Sequence, residues 1–138
     1  MSSVSIDEHL LAQNVVLALL LYQRYMPIYN PKPIVVRIKE QSLRARIGAW
    51  KLGTKRVAMV WGYQILLHNT SREEFLANKA WVRHELRHIW QVHQMGTVKF
   101  LWRYFVLALK FGYHNHPYER DARHHENDDL LEQRVVFK

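Results

Sequence analysis

His84, Glu85 and His88 stand at a spacing that does chemistry when it lies on a helix. At about 100° per residue, positions four apart lie about 40° from each other, one turn along the same face. Both imidazoles can then bind one metal ion, while Glu85 projects to the side and can reach a water held there. The chemistry implied is metal-assisted hydrolysis. Zinc lowers the pKa of its water toward about 7, and a nearby carboxylate takes the proton as the water attacks a carbonyl.

Such a pentapeptide also fits a solvated helix face, so its neighbours decide. Trp81 to Met95 contains neither Pro nor Gly and ends at Gly96, a natural helix C-cap. Upstream, Ser71-Arg72-Glu73-Glu74 reads as a capping box opening a helix that could run into the motif. With His84 at zero, Val82, Leu86, Ile89 and Trp90 fall on the opposite side, within about 120–200°. Gln91 and Met95 return close to the two histidines. The helix thus buries one flank in a core and turns a polar flank, with both imidazoles, toward a cleft.

Two histidines leave a zinc site incomplete, since catalytic sites use three protein ligands and one open position. A metzincin pattern would place glycine and histidine where Gln91 and Gln94 stand. His93 is one residue off that register and on the far flank. The remaining acidic and imidazole candidates lie downstream, between Tyr113 and His125. Pro117 suits the first position of a helix, with His116 or Asn115 as its cap. Glu119 would then sit in the first turn, where the helix dipole also favours an ordinary acid. From there it could approach the His84/His88 face.

The combination His84-Glu85-x-x-His88-x-x-Gln91, followed by Asn115-x-Pro117-Tyr118-Glu119-Arg120-Asp121-Ala122, resembles small bacterial zincin-like domains of the gluzincin type. The second segment is also similar to the E-x-x-A pattern of the HtpX-type membrane peptidases, whose first Glu is the third zinc ligand. Here Arg123 follows Ala122 where that family carries Asp. The resemblance covers roughly residues 60–123. It implies that His84, His88 and Glu119 hold Zn2+, that Glu85 is the general base, and that Asp121 orients a ligand histidine. It also implies a cleft whose edge strand pairs with an extended peptide, by β-augmentation.

With 138 residues and a hydrophobic fraction of 49%, the chain reads as one folded domain over 1–138. The absence of cysteine excludes a disulfide framework and a thiolate metal site. Asp7 and Glu8 precede the first apolar run, where a secretion signal would carry basic residues. Val15 to Leu21 is far shorter than the ~20 apolar residues that span a bilayer. A cytoplasmic location is expected, with an amphipathic helix over roughly Asp7–Met26 broken by Pro27, Pro31 and Pro33. Ile34–Lys39 reads as a strand, and Val57–Leu67 as a strand region interrupted by Gly62. Residues 42–50 fit a helical turn or a short strand equally. The fold class expected is α+β and zincin-like: a small sheet packed against the H-E-x-x-H helix and further helices.

Thr97–Phe111 is a strongly apolar helical segment with Lys99, Arg103 and Lys110 within about 40° of one another. It reads either as a peripheral membrane contact or as a core helix beside the metal helix, leaving one charged stripe in water; the second is preferred. A net charge of +8 invites an anionic partner, but the cations are scattered and no nucleic-acid module appears. His116 reads as a cap, and Arg83 and Arg87 as surface charges. An oxyanion donor is sought among Tyr113, His114, Tyr118 and His124. The function expected is a zinc-dependent metallopeptidase acting on a peptide or protein substrate. The alternative is a non-catalytic zincin-fold protein that binds at a membrane surface or within an assembly.

Overall fold

Alternating β-branched residues build the first strand of the sheet, β1 (Ile34–Lys39), with Ile34 and Val36 facing inward and Val35 and Arg37 outward. The computed structural model describes residues 32–138 and, before them, Leu17 alone. The helix expected over Asp7–Met26 and the Pro27/Pro31 break therefore lie, Leu17 aside, outside the described residues. Among the described residues no helix is long and apolar enough to cross a membrane.

Val57–Leu67 divides into two strands, β2 (Val57–Trp61) and β3 (Gln64–His68), paired antiparallel with Trp61 opposite Gln64. The loop between them has two residues. Gly62 takes φ 63°, the positive value that such a hairpin demands at its first loop position. β1 runs parallel to β3 on one side and to β4 (Val135–Phe137) on the other, giving the order β2-β3-β1-β4. This mixed four-stranded sheet with flanking helices makes the architecture α+β.

Residues 43–52 form a helix, α1 (Leu43–Leu52), where sequence left helix and strand open. Its buried residues are Ala45 and Ala49, and Gly48 comes close to Met59. Small side chains let it lie near β2 and β3, which explains why Leu66 is buried although its neighbours Ile65 and Leu67 face the other way.

The opposite face of the sheet receives the motif helix. The capping box at Ser71 is present: the Ser71 hydroxyl accepts from Glu74 N, and the Glu74 carboxylate accepts from Ser71 N. The helix it opens, α2 (Arg72–Ala77), stops about two turns before the motif. Asn78 starts a new helix, α3 (Lys79–Met95), by accepting from Trp81 N at 3.1 Å. Val82, Leu86, Ile89 and Val92 of α3 are fully buried against Ile34, Val36, Ala58, Val60, Ile65 and Leu67. That is the apolar flank the periodicity marks. With the flank clamped to a sheet, the polar flank has one direction left to face.

After Gly96 comes α4 (Thr97–Phe111), then α5 (Pro117–His124), a short 3-10 turn (Asp129–Glu132) and β4. Pro117 is at the start of α5, and His116 caps it by accepting from Tyr118 N. The core reading of α4 needs correction. Phe100 alone in this helix is buried, while Val98, Trp102, Phe105 and Leu109 face solvent. The sheet face is already filled by α3, so α4 has only a narrow strip to pack with.

Candidate metal centre

One turn of α3 and the first turn of α5 face each other across a small buried space. His84, His88 and Glu119 meet there, with a ligand atom of each within 4.8 Å of the others. His84 Nε2 is 3.2 Å from one Glu119 oxygen, and His88 Nε2 is 3.2 Å from the other. Tyr104 of α4 donates to Glu119 at 2.6 Å. The cap at His116 helps place that tyrosine: its other ring nitrogen donates to the Tyr104 carbonyl at 2.9 Å. Thus α5 delivers Glu119 from its own first turn, and α4 holds it from the side.

The far sides of both imidazoles are anchored. His84 Nδ1 pairs with Glu126 at 3.0 Å, and His88 Nδ1 with Gln91 Oε1 at 2.9 Å. Carboxylate and amide oxygens accept, so each Nδ1 carries the hydrogen and each Nε2 is aimed at Glu119. Ligand histidines in metal sites are held in this manner, the outer acceptor choosing the ring nitrogen that faces the ion. The donor set, two imidazoles and one carboxylate on converging elements, fits a divalent metal.

Asp121 acts one step further out than sequence suggests. It accepts from Gln91 Nε2 at 2.7 Å, and Gln91 in turn accepts from His88. The Arg87 guanidinium grips the same carboxylate through two bonds, at 2.7 and 3.1 Å. Arg87 is therefore tied into the support of the site, while Arg83 pairs with Glu132. Truncating this support should weaken metal binding without removing a ligand. Gln91→Ala is expected to cost roughly 10–100-fold in metal affinity, measured by competition with a chromophoric chelator.

Glu85 is buried beside the histidines and lines a cleft of about 590 Å³ together with His84. Val57 and Ala58 of β2 form part of its wall, and Tyr113, His114 and Glu126 another part. Burial pushes the Glu85 carboxyl up to about 7, against the attraction of His88 and His84; the Trp81 side chain also hydrogen-bonds to it. Of the four oxyanion candidates, Tyr113 and His114 reach this cleft. Tyr118 turns its hydroxyl toward Met95 Sδ instead. His124 is exposed and does not line the cleft. His93, set aside as a ligand, pairs with Tyr63 on the far flank.

Without a metal, protons take its place. Burial opposes protonation of His84, but the Glu119 hydrogen bond, the Glu85 charge and the Glu126 bond outweigh it and push the imidazole up to about 9. Glu119, though buried, is held well below the usual carboxylate range by the bonds from His84 and His88. The sign of the pH dependence follows. A raised histidine pKa stabilises the metal-free fold fully below its ordinary value of 6.5, and that contribution fades as pH rises through about 9. Metal must expel that proton and the one through which His88 Nε2 bonds to Glu119, so metal affinity should climb at least roughly tenfold per pH unit from 7 toward 9. Calorimetry of metal binding at several pH values, in buffers of different ionisation enthalpy, reads the proton release directly.

Two contributors escaped the sequence. Glu126 lies in the turn just beyond the end of α5, where no local repeat marks it. Tyr104 lies four residues after Phe100 on the packed face of α4, and nothing local distinguishes it from a core aromatic. No protein-family model matches the chain, and no curated protein or solved structure is significantly similar to it.

Proposed function

We propose that this chain is a zinc-dependent metallopeptidase of minimal gluzincin type, with a zincin-like arrangement of its sheet and helices. The observation that carries this reading is the convergence of His84 Nε2, His88 Nε2 and the Glu119 carboxylate, with both Nδ1 atoms anchored behind them. His84, His88 and Glu119 are the zinc ligands. Zinc supplies Lewis acidity, which acidifies water and polarises a substrate carbonyl.

Glu85, in the cleft next to His84, takes the proton of the attacking water and hands it to the leaving amine. A carboxylate in that position can accept and return a proton without leaving the cleft. Tyr113 and His114, which line the cleft, are the candidate donors to the developing oxyanion. Among the described residues β2 pairs only with β3, and a substrate strand would add to its other edge. Because Val57 and Ala58 border the cleft, an extended peptide added there runs past Glu85.

The test is cleavage of a denatured protein mixture by the purified chain, with and without a chelator, alongside metal analysis. Chelator-sensitive cleavage by a zinc-containing protein supports the proposal. Bound zinc with no cleavage of any substrate in the mixture favours the non-catalytic binding reading instead.

A further inference from the structure

The outward face of α4 is apolar where a helix in water normally turns its polar side. Val98, Trp102, Phe105 and Leu109 are 83%, 66%, 55% and 74% exposed. At helical spacing they form one stripe about 60° wide. Lys99, Arg103 and Lys110, all exposed, run alongside it about 100° away. The opposite strip anchors the helix: Phe100 is buried and stacked on Tyr118, and Tyr104 donates to Glu119. The apolar stripe cannot roll inward without breaking that anchor.

The charges say what kind of surface this stripe meets. From Thr97 to Tyr118 the chain has no acidic residue, and Glu119 is committed to the histidines. A second copy pairing through the same face would set three cations against three cations, with no acid on the helix to offset them. An anionic surface complements the pattern. The helix has 15 residues and contains no membrane-spanning stretch, so it would lie along such a surface, not cross it.

We infer that α4 docks the protein on an anionic phospholipid bilayer, with Val98, Trp102, Phe105 and Leu109 at the acyl boundary and Lys99, Arg103 and Lys110 among the headgroups. The inference stands apart from the hydrolase reading, since none of these side chains lines the cleft. Phe111 is separated from the cleft residue Tyr113 by Gly112 alone, so docking brings that end of the cleft close to the lipid.

Flotation of the full chain with vesicles of phosphatidylcholine, and of phosphatidylcholine with phosphatidylserine, tests this. The chain should float with the anionic vesicles, and salt should weaken the binding. Replacing the cations (Lys99→Gln, Arg103→Gln, Lys110→Gln) should cost on the order of 100-fold on anionic vesicles and little on neutral ones. Replacing the stripe (Trp102→Ser, Phe105→Ser, Leu109→Ser) should abolish binding to both. Both variants keep Phe100 and Tyr104, and unchanged circular dichroism and thermal unfolding report that they fold. The inference fails if the unmodified chain ignores anionic vesicles, or if either folded variant binds them as well as the unmodified chain. It also fails if the chain forms a dimer that Trp102→Ser dissociates while no vesicle is bound.

Discussion

Glu85→Gln should lower peptide hydrolysis by roughly 10²–10⁴-fold while leaving zinc content nearly unchanged. The side chain keeps its size and still accepts from Trp81, but an amide cannot take a proton from water at neutral pH. Glu85 is not among the three converging donors, so the metal should stay. Turnover at the unmodified rate in a folded, zinc-loaded variant would remove Glu85 from its role. The readout pairs kcat/KM on a cleaved peptide with metal analysis of the same preparation.

Glu119→Ala should strike the metal itself. Without it only His84 and His88 remain, and the loss of affinity should exceed the roughly 10–100-fold expected for outer supports such as Gln91. The metal-free fold should suffer as well. Glu119 accepts from both imidazoles and from the Tyr104 hydroxyl, and a buried donor left without its acceptor costs about 1–3 kcal/mol. Chelator competition measures the first effect and denaturant unfolding of the metal-free protein the second. Full zinc occupancy at the original affinity would exclude Glu119 as a ligand.

Comparing the two variants separates chemistry from assembly. Under the hydrolase reading, Glu85→Gln should lose turnover with metal present, whereas Glu119→Ala should lose it because metal no longer binds. A protein that uses the ion only to organise structure would respond to the second substitution and ignore the first.

Much of α3 was legible before any coordinates. Val82, Leu86 and Ile89 repeat at helical spacing opposite His84, and all three are fully buried against the sheet. The caps at Ser71 and His116 were legible for the same reason: a cap is settled by residues within a turn of it. Asn78 shows the limit. It also caps, by bonding Trp81 N, yet a continuous helix from Ser71 into the motif was equally compatible with local spacing. β4 was missed because three residues carry too little pattern, and its partner β1 lies a hundred residues away.

The α4 reading failed for a related reason. Apolar periodicity reports that a face wants to leave water, but not which surface will receive it. Here α3 had already filled the sheet face, and α4 was left with Phe100, Leu101 and Tyr104 as its contacts with the core.

By itself the chain of residues determined a helix with two imidazoles and a carboxylate on known sides, and an acid poised at the start of a later helix. These depend on a 3.6-residue repeat and on caps, which act over a few residues. Only the tertiary structure decided that Glu119 meets His84 and His88, that Glu126 holds the His84 ring from behind, and that Asp121 works through Gln91. Those contacts join α3 to segments some thirty or more residues away, and their geometry follows from how helices dock on the sheet, which no local repeat encodes.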